Sequence, residues 1–135
     1  MGVNFKETEG YRQGIKYFLS KYEANHIEVL NKLYAFSPAL ADVVVSFGLH
    51  DIWTQKTPSL TDREKEIAVL TCLIVNGTVH SEIKAHAQCL LNVGMSKEQI
   101  KELLVLLTLY IGVPQVILAS TLIDEAFKEW DESHK

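Results

Sequence analysis

Thr61-Asp62-Arg63-Glu64-Lys65-Glu66-Ile67-Ala68-Val69-Leu70-Thr71-Cys72-Leu73-Ile74-Val75-Asn76-Gly77 is the stretch on which the fold turns. It opens on a capping box: Thr61 caps the first turn, and Glu64, three residues on, reaches back to the cap. From Ile67 to Val75 the segment is apolar on nearly every side. A helix of that kind is expected to be buried or sandwiched between subunits. Asn76-Gly77 ends it, because glycine accepts the left-handed conformation that closes a helix. Glu66 stands inside this apolar helix. A carboxylate there must be solvated, paired or functional. As an acid near the helix start it is also favoured by the helix dipole, which is the plainer reading.

Outward from this stretch the punctuation separates further helices. One runs from about Val79 to Val93 and is closed by Gly94. Ser96 to Gln99 forms a second capping box, whose helix continues to about Tyr110, where Gly112 and Pro114 break it. Val116, Ala119, Ile123, Phe127 and Trp130 form the stripe of a last helix. Upstream, apolar residues between Glu9 and Tyr34 follow the helical period with a break near Asn25. Ser37-Pro38 reads as an N-cap with proline at the first helical position, opening a helix to about Trp53. Thr54 to Ser59 reads as a polar loop. Alternation of period two is sustained nowhere. The expectation is an all-α fold of about six helices, in one domain covering residues 1–135.

The 135 residues are 47% hydrophobic and 22% charged, a globular composition, with net charge −4. Lysine and arginine are scattered. Phosphate binding needs a concentrated positive face, so nucleic acid is not expected as a partner, nor is an anionic membrane surface. The N-terminus lacks the basic segment and apolar run of a signal peptide. The most apolar stretch, Leu103 to Val113, is too short to span a bilayer, so a cytoplasmic location is expected. Cys72 and Cys89 sit in apolar helical stretches without metal-ligand spacing and read as two buried, reduced thiols.

Chemistry concentrates in Val79-His80-Ser81-Glu82-Ile83-Lys84-Ala85-His86. Glu82 and His86 are four apart and share a helix face. A carboxylate beside an imidazole orients the ring and raises its pKa, which suits a general acid near neutral pH. The same pair on an exposed helix is an ordinary solvated contact. Ala87, Leu90 and Leu91 nearby favour the edge of the core. His80, Glu82 and His86 are possible metal ligands, but His80 and His86 are six apart and point different ways, so no metal is expected. Cys89, three residues after His86, is placed for activation as a thiolate or for simple burial. His26 and His50 are isolated and read as ordinary residues.

The run from Leu60 to about Trp130 resembles the carboxymuconolactone decarboxylase-like family. The resemblance is carried by Leu60-Thr61-Asp62-Arg63-Glu64-Lys65-Glu66, by Glu82-Ile83-Lys84-Ala85-His86, by Leu91-Asn92-Val93-Gly94-Met95-Ser96-Lys97-Glu98-Gln99-Ile100-Lys101-Glu102, and by Tyr110-Ile111-Gly112-Val113-Pro114. It implies an alkylhydroperoxidase D-like helical protomer that assembles as a homotrimer or homohexamer. One branch of the family uses a CxxC just before the histidine. The matching positions here are Val79 and Glu82, so dithiol peroxidase chemistry is not implied. The decarboxylases of aromatic catabolism carry a glutamate at the position of Glu82 and the histidine of His86. Glu66 matches a glutamate of both branches.

The function implied is a cofactor-free lyase that decarboxylates a small carboxylated lactone or related acid. His86 donates the proton, Glu82 orients it, and Glu66 assists as a second acid/base or by hydrogen bonding. Arg63, at a helix start, is the nearest candidate for a substrate carboxylate, though an exposed arginine is the plainer reading. Two alternatives stand beside this: a thiol-dependent peroxidase using Cys89 with His86 and Cys72, and a non-catalytic member of the family.

Overall fold

The computed structural model describes residues 2–135 and divides the chain into two compact units, Met1–Leu60 and Thr61–Lys135. Among the described residues there are seven α-helices and no strand, so the fold is all-α as expected.

In the first unit, α1 (Glu9–Lys21) is capped by the Thr8 hydroxyl, which accepts from the Tyr11 N–H. It ends where Tyr22 turns to extended backbone and stacks on Phe18 at 4.2 Å between centroids. A 3-10 turn, Ala24–His26, leads into α2 (Ile27–Phe36). The break expected near Asn25 is therefore real. Ser37 caps α3 (Pro38–Asp42), which runs straight into a π-helix, Val43–Lys56. The loop expected from Thr54 starts three residues later, because the Thr54 hydroxyl bonds the His50 carbonyl and the Thr57 hydroxyl bonds those of Ile52 and Trp53. These contacts satisfy carbonyls that a helix end leaves open. Tyr11, Phe18, Leu30, Ala41, Val45 and Leu49 form the core of this unit.

The contact between α1 and the π-helix depends on Gly14. A Cβ built there would lie 2.3 Å from the Val45 carbonyl oxygen. Alanine is the better helix former by about 1 kcal/mol, but overpacking against backbone costs about 1–3 kcal/mol or more. Gly14→Ala is therefore expected to lower the urea midpoint of unfolding despite its helix propensity. An unchanged or raised midpoint would mean that the two helices separate freely.

The second unit holds α4 (Asp62–Asn76), α5 (His80–Asn92), α6 (Lys97–Ile111) and α7 (Val113–Ser133). Both expected capping boxes are formed, Thr61 with Glu64 and Ser96 with Gln99. Gly77, at φ 73°, closes α4 and lets a short connection turn the chain back into α5. The break expected at Gly112 and Pro114 is found, with α6 ending at Ile111 and Pro114 already inside the next helix. It sits in the first turn of α7, where no backbone N–H is needed, and Gly112 at φ 111° makes the turn alone. The core contains Leu70, Ile74, Ile83, Ala87, Leu90, Ile100, Leu104, Ile123 and Phe127. Gln88 is buried and donates to the Ala126 carbonyl at 3.1 Å, pinning α5 to α7. Lys84–Glu129 (2.6 Å), Lys97–Asp131 (2.7 Å) and Trp130–Asn92 (2.8 Å) tie down the rest of α7.

No helix among the described residues is long and apolar enough to cross a membrane.

Candidate active site

The two helices opened by Thr61 and by Val79 supply every candidate. On α4 the fully buried residues are Glu66, Leu70 and Ile74, spaced by four on one stripe. Glu66 thus occupies the position of a core residue and is 0% exposed. The other faces of α4 are open: Cys72 and Val75 are exposed, which corrects the expectation that both cysteines are buried. The composition of α4 is apolar on nearly every side, but only one stripe of it is fully buried within its own unit, with Ile67 and Leu73 half-buried against the same core.

On α5, Ile83, Ala87 and Leu90 face the core, and His86 and Cys89 lie beside them. Facing α4, the His86 Nδ1 stands 2.6 Å from Glu66 Oε2, a buried hydrogen bond. The other ring nitrogen, Nε2, lies 3.6 Å from Glu82 Oε2, one turn earlier on α5. The Glu82 side chain is 46% exposed and the imidazole 7%. The ring therefore has one nitrogen toward the core and the other toward the open side of α5. The sequence suggested Glu82 as the residue that orients the ring. The shorter and fully buried contact belongs to Glu66. Charged hydrogen bonds of that length are the strong ones.

Burial alone would push the His86 pKa down, since it penalises the charged ring. The hydrogen bonds to Glu66 and Glu82 and the two negative charges outweigh it, so the pKa stands above its ordinary value. The arrangement favours the charged ring, with Nδ1 committed to Glu66 and Nε2 facing outward.

Cys89 completes the cluster. Ligand atoms of Glu66, His86 and Cys89 all lie within 4.8 Å of one another, and all three residues are buried. Cys72, on the exposed part of α4, is in a different environment. Arg63 is exposed and donates to the Gly94 carbonyl at 2.8 Å, clasping the turn after α5. His80 is exposed at the start of α5. Surface hollows lined by Tyr17 and His50 and by Tyr11 and Arg12 lie within the first unit and contain none of these residues.

The sequence profile of the Carboxymuconolactone decarboxylase family matches residues 38–125. This chain belongs to that family. The match begins well before Leu60 and takes in α3 and the π-helix, beyond the segment whose motifs carried the resemblance. A 4-carboxymuconolactone decarboxylase of Acinetobacter baylyi is 23% identical over 124 residues, covering 91% of this chain and 90% of the relative. In this member of the family the site unites Glu66 of α4 with His86 and Glu82 of α5. Glu66 keeps register with Leu70 and Ile74, four and eight residues on, but the other sides of the helix are apolar too, so that register does not by itself mark the buried side.

Proposed function

We propose that this protein is a lyase that decarboxylates a small carboxylated lactone or closely related acid, with His86 as the proton donor. The observation that carries the reading is the pair of carboxylates on the two ring nitrogens of one largely buried histidine. In such a reaction the bond from carbon to the carboxylate breaks, carbon dioxide leaves, and the electron pair is held on carbon in conjugation with the lactone carbonyl. That carbon must then take a proton. His86 delivers it from Nε2, because Nδ1 is bonded to Glu66. Glu66 holds the ring and stabilises its charged form. Glu82, at the outer nitrogen, helps to retain the proton and to reload it from water.

The named relative makes 4-carboxymuconolactone the first compound to test. Purified protein should consume it, followed by ultraviolet absorbance, with release of carbon dioxide. Intact protein that leaves both signals unchanged would remove the lyase reading for this substrate. Thiol peroxidase chemistry has less support, since Cys89 is out of contact with solvent and the positions of the family's CxxC hold Val79 and Glu82.

Assembly into a homotrimer or homohexamer is part of the same proposal. Val105, Leu106, Leu109, Tyr110, Val113 and Ile117 crowd the α6–α7 corner, with Leu109 80% and Tyr110 79% exposed. Soluble monomers rarely leave such a patch in water, and a closed ring of copies covers it with the surface of the neighbouring protomer. Leu109→Glu is expected to shift the mass measured by light scattering toward one chain. A wild-type protein that is already monomeric would overturn the assembly.

A further inference from the structure

We propose that Glu66, His86 and Cys89 form a binding site for a thiophilic divalent cation such as Zn2+, and that the bound ion switches the site off. The inhibitory half rests on the lyase reading above; the binding half does not.

The donor set is one carboxylate, one imidazole and one thiol, each a ligand type that zinc accepts. Their ligand atoms lie within 4.8 Å of one another. Zinc takes nitrogen and oxygen at about 2.1 Å and sulfur at about 2.3 Å, so tetrahedral donors sit about 3.3–3.7 Å apart. The Glu66–His86 contact, at 2.6 Å, is shorter than this, because a proton bridges it. Opening that contact by less than 1 Å brings it to the tetrahedral spacing. Three protein ligands leave a fourth position for water or another small oxygen donor.

Charge favours the exchange. A divalent cation with one carboxylate, one thiolate and a neutral imidazole sums to zero, and a neutral assembly is the form that a buried site tolerates. Binding releases the Cys89 proton, and a second proton where the ring starts charged. To ligate through Nδ1, the neutral ring carries its remaining proton on Nε2. Glu82 Oε2 stands there at 3.6 Å. Histidines that bind metals almost always donate their other N–H to an acceptor such as a carboxylate, a backbone carbonyl or water. The outer carboxylate is thus already in place, independently of the three ligands.

The bound ion takes Nδ1 and the Glu66 oxygen away from each other. The ion then holds the ring through Nδ1 in place of Glu66, and the one remaining ring proton, on Nε2, faces Glu82.

The test uses Co2+, whose bond to a thiolate gives an intense near-ultraviolet charge-transfer band. The chain has two cysteines, and Cys72 is exposed. In Cys72→Ala the only remaining thiol is Cys89, so a band in that variant comes from Cys89. We expect the band at one ion per chain, displaced by Zn2+. We expect Glu82→Gln to weaken Co2+ binding by about 10-fold or more. We expect Cys89→Ala to abolish the band with the far-ultraviolet helical signal retained. A Cys72→Ala protein without the band overturns the site, and so does a band that survives Cys89→Ala. The readout needs no substrate. A band in a protein without decarboxylase activity would leave the site standing and remove the lyase reading. Decarboxylation without a band would do the reverse. Turnover that persists with Co2+ bound would overturn the switch.

Discussion

His86→Gln is expected to lower decarboxylation of 4-carboxymuconolactone by about 1000-fold, within the range set by losing a positioned general acid. Glutamine is the informative replacement. Its amide N–H can still donate to Glu66, which is 0% exposed and needs a donor. It cannot deliver a proton from the position of Nε2. His86→Ala removes both functions at once. It leaves the Glu66 carboxylate buried with its 2.6 Å contact gone, a situation that costs about 3 kcal/mol when a buried pair is broken. Alanine should therefore lose stability as well as turnover, whereas glutamine should lose turnover and keep most of its thermal midpoint. Near-wild-type activity in His86→Gln would take the proton-donor role away from His86.

Glu66→Gln is expected to lower kcat/KM at pH 7.5 by about 100-fold, the scale of a mispositioned acid–base pair, and to change the pH profile. The sign follows from the two protonation states. His86 has a pKa above its ordinary value of about 6.5. A proton donor is active below its pKa, so kcat/KM of the wild type falls as pH rises through the folded-state value. Glu66 supplies the largest of the contributions that raise it. Without that charge the falling limb moves to lower pH, and assays with a chelator present should record the shift. Stability obeys the same sign. The contribution of the charged pair is complete below the unfolded histidine pKa and is lost as pH rises through the folded one. Glu66→Gln should therefore flatten that part of the stability profile. A profile that falls at the same pH in both proteins would assign the limb to another group.

Much of the helical framework is legible in local chemistry. Thr61 with Glu64 and Ser96 with Gln99 announce helix starts because the side chain and the orphan N–H groups are only three residues apart. Gly77 announces an end because its left-handed φ suits glycine best. Gly112 and Pro114 announce the end of α6, and the proline does so from the first turn of the following helix, where its missing N–H costs nothing. Thr54 misleads. It reads as loop, yet its hydroxyl bonds a carbonyl four residues back and prolongs the π-helix.

The site divides along the same line. The Glu82–His86 pair is visible because both residues lie on one helix, four apart. The Glu66–His86 bond joins residues twenty apart on different helices. No local spacing encodes it.

From its sequence alone this protein was determined to be all-helical, bounded by its caps and glycines, with acid–base residues gathered on the helix that begins near His80. Each of those properties depends on interactions within a turn or two of chain. Tertiary packing decided the rest. It turned one stripe of α4 inward, which left Cys72 in solvent and drove Glu66 into the core. It set Glu66 rather than Glu82 on Nδ1, and it brought Cys89 to the same cluster. A helix with apolar residues on every side carries no instruction about which side to bury. That choice belongs to the helices packed against it.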